Sequence, residues 1–463
     1  MTPQELKNSI LQLAIQGRLV EQNKGEKSPD LSDIKSITTD ELDFDLPVSW
    51  KTAHLESITI SIPAKKYQIL ESEVQKTGIY PVISQSKEYS IGYSDDENKV
   101  FHHVKPVIVF GDHTTVIKYV EFDFIVGADG IKIFEPLYHL LSPKYLFYVM
   151  EYYAIGLEKV GGYSRHYKYI KNKPIPIPPL AEQKRIVAKI EELLPLIDRY
   201  EKAWSRLEEF NKQFPKDMQK SILQMAIQGK LVEQRAEEGT GEELYQQIQA
   251  EKQNRIRLGE LKRTKALPHI SNDMLPVSFP DTWKICYMDD IAFVTKLAGF
   301  EYSTFIAPNL SKDGIPLFKG KNVQNGKLVL NFESYIPEHV SNELLRSQIT
   351  KKCLLTPYVG TIGNISIFDG QFKAHLGSNV GKIELLNGKK KLVLEEYVLH
   401  YLRSPMGYSE LTKFKKATAQ ESISIDAIRN VIIPIPPLEE QKRIVSKLEE
   451  LLPLCEQLNG GIK

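Results

Sequence analysis

Hydrophobic positions in three segments of the chain follow one spacing. From Ile186 onward, apolar side chains recur in alternating steps of four and three residues, which is the spacing of a coiled-coil seam. The seam comprises Ile190, Leu193, Ile197, Tyr200, Trp204 and Leu207. The same steps occur near the end of the chain and at its start, at Ile444, Leu448, Leu451, Cys455 and Leu458 and at Leu6, Ile10, Leu13, Gly17 and Val20. The pattern predicts three helices that pack through apolar seams.

A proline lies inside two of these patterns, at Pro195 and Pro453. Because proline has no amide hydrogen and crowds the preceding turn, we expect each helix to be kinked or interrupted there. If the central helix instead persists from Leu180 to Gln228, it is roughly 70 Å long at about 1.5 Å per residue.

Two other regions, residues 51–172 and 284–430, contain short apolar runs bounded by turn residues. Asp-Gly and Asn-Gly pairs between such runs are typical of β-hairpins. Short helices are predicted near residues 144–153 and 395–402. The expected fold class is α+β, with two β-rich domains separated by long antiparallel coiled-coil helices.

The helical segments occur twice. Residues 9–22, SILQLAIQGRLVEQ, return at 221–234 as SILQMAIQGKLVEQ, and residues 175–196, IPIPPLAEQKRIVAKIEELLPL, return at 433–454 with 19 of 22 positions identical. In the middle of the chain one segment leads into the other, whereas their twins stand at the two ends. This order predicts a circular pseudo-twofold arrangement of two similar halves.

A weaker repeat relates LPVSWK at residues 46–51 to FPDTWK at 279–284. After SILQMAIQGKLVEQ at residues 221–234, a charged helical run is followed by TKALPHISNDMLPVSFP, which is typical of a linker.

The repeated helices also share polar residues that a helical core does not require. A duplicated polar surface suggests that two copies of one partner dock on it. The candidate partner-binding residues are Gln183, Arg185 and Glu192 with their counterparts Gln441, Arg443 and Glu450.

Composition limits the class of protein. The 463 residues are enough for two or more domains. With 60 basic and 59 acidic residues the net charge is +1, so nucleic-acid contacts must come from local patches. Three unpaired cysteines argue against disulfides and zinc knuckles and favour a reducing cytosol. No apolar run reaches the roughly 20 residues that cross a bilayer. We expect a cytoplasmic protein that does not bind membranes.

Catalytic motifs are missing from the sequence. It contains no GxxxxGK[ST] phosphate loop, no GxGxxG, no HExxH, and no Asn-Pro-Pro-aromatic tetrapeptide of the kind found in amino-methyltransferases. The sequence therefore predicts that catalysis is supplied by another protein.

The order of these segments resembles the specificity subunit of type I restriction-modification systems. The resemblance covers essentially the whole chain and is carried by IPIPPLAEQKRIV, SILQMAIQGKLV, FPDTWK and IPIPPLEEQKRIV. It implies a non-catalytic subunit in which two target recognition domains each read half of a bipartite double-stranded DNA site. It also implies that the paired helices bind two methyltransferase subunits and that two endonuclease/translocase subunits join them.

The same resemblance implies no cofactor and no metal in this chain, with S-adenosylmethionine, ATP and Mg belonging to the partner subunits. It divides the chain as follows: 1–24, N-terminal conserved helix; 47–174, first target recognition domain; 175–263, central conserved helical region; 264–279, linker; 280–432, second target recognition domain; 433–463, C-terminal conserved helix. The additional N-terminal helix departs from the simplest layout of the family.

The densest candidate DNA-binding segment is KVGGYSRHYKYIKNK, residues 159–173, which has five lysines or arginines and no acid. A guanidinium pairs bidentately with guanine, so Arg165 is the candidate for a base edge and Lys168 for a phosphate. His166 suits either role, and Tyr163 lies beside them. The corresponding segment of the second domain offers Lys415, Gln420 and Ser422, of which Gln420 suits adenine.

Other polar turns are weaker candidates for DNA contacts. They contain Gln85, Lys87, His113, Lys319, Asn322, Thr361 and Asn364. Each is also compatible with an ordinary surface turn that has no binding role.

Two alternative functions fit part of the pattern. A coiled-coil protein-interaction scaffold would use the repeats without binding DNA, and a gel shift in the presence of the partner methyltransferase distinguishes it. A self-contained DNA-modifying enzyme would act alone with S-adenosylmethionine and metal.

Overall fold

The computed structural model describes residues 1–34, 42–127, 129–157, 165–415 and 421–461. The chain divides into two compact units, residues 1–208 and 209–463. Within the described residues, no helix has the length and apolar character needed to cross a membrane.

Unit 1 contains nine strands and the first helices of the chain. The helix α1 begins with a capping box, in which Thr2 and Glu5 bond each other's backbone amides. The strands are β1 Lys51–His54, β2 Thr59–Ile62, β3 Tyr80–Ile83, β4 Gly92–Ser94, β5 Val107–Gly111, β6 Ile117–Val120, β7 Ile125–Val126, β8 Ile131–Pro136 and β9 Pro174–Ile177. The helices are α1 Pro3–Ile15, α2 Leu55–Ile58, α3 Pro143–Ala154, α4 Tyr167–Ile170 and α5 Leu180–Ile227, the last of which continues past the unit boundary.

The described residues of unit 2 form ten further strands. They are β10 Lys284–Tyr287, β11 Ala292–Lys296, β12 Ile315–Phe318, β13 Tyr335–Ile336, β14 Gln348–Ile349, β15 Cys353–Pro357, β16 Ser366–Phe368, β17 Ala374–Leu376, β18 Val380–Leu385 and β19 Ile432–Ile435. The helices are α6 Gly241–Arg257, α7 Met288–Ile291, α8 Gly299–Glu301, α9 Glu338–Glu343, α10 Glu395–Arg403, α11 Pro405–Thr412, α12 Ile425–Arg429 and α13 Leu438–Gly461.

The two β-rich regions share one topology although their sequences differ. Unit 1 has an antiparallel sheet in the order β2-β8-β5-β6, and unit 2 has β11-β18-β15-β16. A second sheet, β4-β3-β7 or β13-β12-β17-β14, contains one parallel pair in each unit, β3 with β7 or β12 with β17. The predicted α+β fold class is confirmed, as are the two β-rich regions and the short helices, which correspond to α3 and α10.

The repeated IPIP segment forms the last strand of each domain. It pairs with the strand that follows the repeated tryptophan, so that Lys51 lies opposite Ile177 and Lys284 lies opposite Ile435. Proline is tolerated because each of these sheets has only two strands and therefore a free edge. The hydroxyl of Tyr145 donates to the Pro176 carbonyl at 3.0 Å, and Tyr397 donates to Pro434 at 2.8 Å.

The terminal helices pack on α5, but α1 does not use the predicted seam, because Leu13 of that seam is 40% exposed. In unit 1 the core contains Leu11, Ala14 and Ile15 of α1 with Ile186, Val187 and Ile190 of α5. In unit 2 it contains Ile222, Leu223, Ala226 and Ile227 of α5 with Ile444, Leu448, Leu452 and Cys455 of α13. The Tyr200 hydroxyl donates to the Met1 carbonyl at 2.8 Å, while Gln22 contacts Glu182. These two contacts place α1 antiparallel to the first half of α5.

The structure differs from the predicted seams in two ways. The prolines do not interrupt their helices, since α5 passes through Pro195 and α13 through Pro453. The carbonyls that lose their amide partners belong to exposed Glu191 and Glu449, where water can hydrate them. The seam also becomes exposed beyond Ile197, and Leu207 is 54% exposed.

The seam expected to continue through Gly17 and Val20 ends earlier. Helix α1 stops at Ile15, and Gly17 adopts φ +67°, which lets the amide of Arg18 donate to the carbonyl of Leu13 at 2.9 Å. The twin segment ends in the same way at Gly229, φ +69°. This is a Schellman-type helix end, in which the residue after the helix has a left-handed backbone conformation. Glycine is favoured there because it adopts that conformation without strain.

A buried glutamate near the start of α5, and another near the start of α13, bonds to the segment that follows the glycine. The Glu182 carboxylate accepts from Trp50 Nε1 at 3.0 Å and from Gln22 Nε2 at 2.5 Å. In unit 2, Glu440 accepts from Trp283 Nε1 at 2.9 Å and from Gln234 Nε2 at 2.6 Å. Burial raises the pKa of both glutamate carboxyls. We call each glutamate with its tryptophan and glutamine partners a glutamate joint. It bonds the start of a repeated helix to the repeated tryptophan segment and to the repeated segment that ends in glutamine.

Replacement of Gly17 by alanine is expected to destabilise unit 1. The alanine would have to keep the left-handed backbone conformation of Gly17, and its Cβ would lie 2.4 Å from Cγ of Pro47. The strain alone costs about 1–2 kcal/mol. Denaturant unfolding measures the change, and Gly25→Ala is the control because a Cβ at Gly25 meets no atom within 4 Å. Equal free energies of unfolding for the two variants would contradict this account of the helix end.

Truncation of the joint is expected to be costly in either unit. Glu182→Ala removes the acceptor of both the Trp50 indole and the Gln22 amide, and we expect a loss of about 1–3 kcal/mol for buried donors left unsatisfied. Glu440→Ala should have a similar effect on unit 2. Exposed Glu201→Ala, on the same helix as Glu182, serves as the control in the same unfolding experiment. The interpretation fails if Glu182→Ala and Glu201→Ala are equally stable.

Candidate nucleic-acid interface

Three predicted DNA-contact segments of unit 1 come together at one edge of the domain. The Gln85 side chain donates to the Asp129 carbonyl at 3.0 Å and accepts from the His113 amide at 3.2 Å. The Thr114 hydroxyl donates to the Gln85 carbonyl at 2.6 Å. The turn after β3 is therefore bonded to the turn between β5 and β6 and to the turn before β8.

Asp112 connects these turns to the third segment. Its carbonyl accepts from the His166 amide at 2.7 Å and faces His166 Nδ1 at 3.0 Å, while its carboxylate accepts from the Tyr167 amide at 2.7 Å. Because a carbonyl only accepts, Nδ1 carries the proton. We call the resulting surface rim 1, comprising residues 84–89, 111–116 and 165–168.

His166 has a different position from the one predicted. Its side chain is only 4% exposed, so it holds two segments together and does not reach a base or a phosphate. Its hydrogen bonds to the Asp112 carbonyl fix the position of its ring inside the domain. The prediction that His166 contacts DNA directly is wrong.

The exposed cations of rim 1 are Lys87, Arg165 and Lys168. The Lys168 ammonium lies 4.8 Å from the centre of the Tyr169 ring, a cation–π distance. Tyr163 lies outside the described residues. Lysine and arginine side chains in this arrangement are suited to phosphates and guanine edges, respectively.

Three segments of unit 2 also converge. Residues 421–423 run beside the turn that follows β15, with the Gly360 amide donating to the Glu421 carbonyl at 3.0 Å and the Ile423 amide donating to Tyr358 at 2.9 Å. The Asn364 amide group donates to the Val323 carbonyl at 3.2 Å. We call this surface rim 2, comprising residues 319–327, 358–364 and 421–423.

Asn322 is the second predicted DNA-contact residue that the structure places in the interior. Its side chain is 2% exposed, its oxygen accepts from the Lys319 amide at 2.9 Å, and its nitrogen donates to the carbonyls of Val329 at 2.8 Å and Asn331 at 3.2 Å. Backbone groups thus satisfy the whole amide. The prediction that Asn322 contacts DNA is wrong.

The other predicted residues of unit 2 differ in exposure. Thr361 is exposed, and Ser422 is partly exposed beside Val359. The Lys319 ammonium donates to the Ser334 hydroxyl at 2.8 Å, and Lys415 forms an ion pair with Glu421. Gln420 lies outside the described residues. These side chains stay candidates for DNA contacts.

Sequence reasoning missed an aromatic contact in rim 2. Tyr408 is 46% exposed, and its ring covers Gly363, where a Cβ would lie 2.2 Å from Tyr408 Cε2. Gly363 also has φ +93°, so only glycine fits this position without strain. A tyrosine in an amphipathic helix gives no sequence signal for such a contact.

The two rims occupy the same topological positions. In each unit the first segment follows the strand of the parallel pair, β3 or β12, and the second joins two antiparallel strands, β5 to β6 or β15 to β16. The third leads into a short helix, α4 or α12. One framework therefore presents two different sets of side chains.

Two predicted partner-binding residues are internal. Gln183 and Gln441 have no exposed surface. Gln183 accepts from the Ser142 amide at 2.8 Å and donates to the Leu140 carbonyl at 2.7 Å, and Gln441 accepts from the Leu394 amide at 3.0 Å. Each glutamine connects a long helix to its own recognition domain. The prediction that they bind a partner is wrong.

The arginines of the same motif are used within each unit, while its second glutamate is exposed. Arg185 Nη2 lies 3.1 Å from Glu26 Oε2, and this hydrogen-bonded pair lowers the pKa of Glu26. Arg443 Nη2 lies 2.6 Å from Glu238 Oε2. Glu192 and Glu450 are exposed and bond to lysines one helical turn away, at 2.9 and 2.8 Å. They stay candidates for partner binding.

Comparison with known proteins agrees with this architecture. The family model "Type I restriction modification DNA specificity domain" matches residues 47–208 and 280–463. The EcoAI specificity subunit of Escherichia coli is 23% identical over an alignment of 544 positions, which covers 99% of this chain and 90% of that protein. The EcoEI specificity subunit of Escherichia coli is 22% identical with the same coverage.

A similar solved structure is the HsdS subunit from Thermoanaerobacter tengcongensis. It is 16% identical, with a TM-score of 0.48, and the alignment covers 91% of this chain and 93% of that one. Since the family model matches most of the sequence in two blocks, one for each recognition domain, the chain belongs to the type I restriction-modification DNA specificity family.

Proposed function

We propose that this chain is the DNA-recognition subunit of a type I restriction-modification complex, in which it reads a bipartite site and directs partner enzymes to it. The subunit is non-catalytic, as its family relationship indicates. The observation that carries the proposal is the presence of two frameworks with corresponding main sheets and dissimilar exposed rims.

Two different rims on one framework favour two different half-sites. Rim 1 offers the exposed cations Lys87, Arg165 and Lys168, whereas rim 2 combines the exposed Lys321 and Lys327 with the neutral polar groups of Thr361 and Ser422. Phosphate contacts give affinity and register, while base-edge contacts give sequence discrimination. Each domain would therefore recognise its own bases with the same orientation relative to its framework.

Local charge fits DNA binding by a chain of net charge +1. The cations of rim 1 are exposed, with Lys87 on a turn and Arg165 and Lys168 at the start of α4, and each phosphate that they neutralise releases a counterion. A scaffold without DNA affinity has no use for such a surface, and this favours the DNA-recognition function.

Partner enzymes supply the chemistry in this proposal. Two methyltransferase subunits would dock on the duplicated helices, where Glu192 and Glu450 are exposed in matching positions, and two endonuclease/translocase subunits would complete the complex. S-adenosylmethionine, ATP and Mg would be bound by those subunits. The complex would act in the cytoplasm.

Exchange of one recognition domain tests the bipartite proposal. Replacing residues 47–174 with the equivalent domain of another specificity subunit should change one half of the methylated sequence and leave the other half intact. The physical reason is that each rim is built within its own unit. Methylome sequencing of a host that carries the complex measures the outcome, and exchange of residues 280–432 is the reciprocal control. A change in both halves would contradict the proposal.

The exposed cations of rim 1 should have separable roles. Lys168→Ala is expected to reduce the salt dependence of binding by about one phosphate contact, with equal loss of affinity for all sequences. Arg165→Ala should relax one base position by about 1–3 kcal/mol.

Binding of duplex DNA by the chain together with its methyltransferase partner, measured at several salt concentrations, gives both quantities. Lys105→Ala is the control for charge, because Lys105 is exposed at the other end of β5. An unchanged salt slope for Lys168→Ala removes the phosphate assignment.

A further inference from the structure

A buried lysine holds the first segment of rim 1 in place. Lys118 lies on β6 with a side chain only 4% exposed. Its ammonium donates to the carbonyls of Ser84 at 2.8 Å and Tyr89 at 3.2 Å and also to that of Glu88. These three acceptors match the three hydrogens of an ammonium group. Burial lowers the pKa of Lys118 to about 8.

The acceptors lie on both sides of an exposed tip. Ser84 precedes residues 85–87, and Glu88 and Tyr89 follow them. The three carbonyls face the ammonium, which leaves Lys87 exposed at the tip beside the partly exposed Gln85. The bonds thus close a six-residue turn across its base.

A buried serine holds the first segment of rim 2, although its hydroxyl has only one hydrogen to donate. Ser366 on β16 has no exposed surface, and its hydroxyl oxygen lies 2.5 Å from the Gln324 carbonyl and 2.9 Å from that of Lys327. These carbonyls flank the Asn325-Gly326 turn, and the Gln324 amide donates to the Lys327 carbonyl at 2.9 Å. Asn325 is exposed at this tip.

Lys118 and Ser366 occupy one position of the shared framework. Lys118 lies opposite Val109, the third residue of β5, and Ser366 lies opposite Leu355, the third residue of β15. Both strands continue the sheet in the same order, to β8 and β18. Lys118 and Ser366 are therefore different donors at equivalent sheet positions, and each bonds to the first segment of its own rim. The longer lysine closes the wider turn and the serine the narrower one.

We propose that this position is the clamp of each recognition domain, and that Lys118 and Ser366 are positioning residues that determine sequence discrimination by fixing the tips 85–87 and 325–326. The proposal rests on the proposed DNA-recognition function. A tip that is already ordered loses less conformational freedom on binding, and its base-contacting groups stand at a fixed height over the groove. Without the clamp the tip would still be present but would accept several bases.

The test selects DNA from a library of random duplexes with the full chain bound to its methyltransferase partner. Lys118→Met keeps the length of the side chain and removes its donors, and Ser366→Ala removes only the hydroxyl. We expect each variant to lose about tenfold or more of its discrimination at one half-site, the typical effect of a poorly read base pair, with the other half-site unchanged. The two variants should affect opposite halves.

Controls separate positioning from general damage. Lys105→Met removes an exposed lysine from the same domain, and Ser303→Ala removes an exposed hydroxyl from unit 2, so both should select the wild-type sequence. Ser366→Thr retains the hydroxyl and should keep more discrimination than Ser366→Ala. Hydrogen exchange is expected to rise in residues 84–89 of Lys118→Met. If Lys118→Met does not fold, Ser366→Ala decides the question in the second domain.

The possible outcomes distinguish the two proposals. If the wild-type complex selects no bipartite sequence, the DNA-recognition function itself is wrong. If the wild type selects one and both variants retain both halves, the clamp is wrong while the function stands. Equal loss at both half-sites in a folded variant also overturns the clamp, since Lys118 and Ser366 each bond only to their own rim.

Discussion

The structure of each unit depends on one buried carboxylate. A carboxylate removed from water is stable only when its oxygens are satisfied, and Glu182 and Glu440 meet this requirement with an indole and a side-chain amide from two distant segments. The bonds join the start of a long helix, the end of another and the entrance to the recognition domain. The repeated sequence therefore has an internal purpose, because its most similar polar residues make the same contacts twice.

On this constant framework the rims vary freely. Asp112 and His166 connect the segments of rim 1 through backbone amides and a backbone carbonyl, and Asn322 organises rim 2 in a comparable way. Buried polar side chains thus fix where a turn lies, while the neighbouring exposed side chains determine what it can bind. A fixed backbone with exchangeable tips is a physical basis for reading different sequences with one fold.

Much of this could be predicted from periodicity and repetition. The α+β class, the packing of the terminal helices on the central one, the core position of Cys455 and the family were accessible because apolar spacing and repeated motifs are local signals. The burial of Gln183, His166 and Asn322 was not, because their partners include backbone groups that only the tertiary fold brings near. The helix end at Ile15 was overlooked because the apolar steps continue through Gly17, although glycine is a common helix terminator.

The pairing of β1 with β9 and of β10 with β19 has an evolutionary consequence. The chain enters and leaves each recognition domain on adjacent antiparallel strands, so the whole domain is an insertion whose two junctions lie side by side. Segments with neighbouring ends are readily replaced without disturbing their host. Genetic recombination between the nearly identical flanking sequences could therefore transplant an entire domain in one event and create a new specificity with the scaffold preserved.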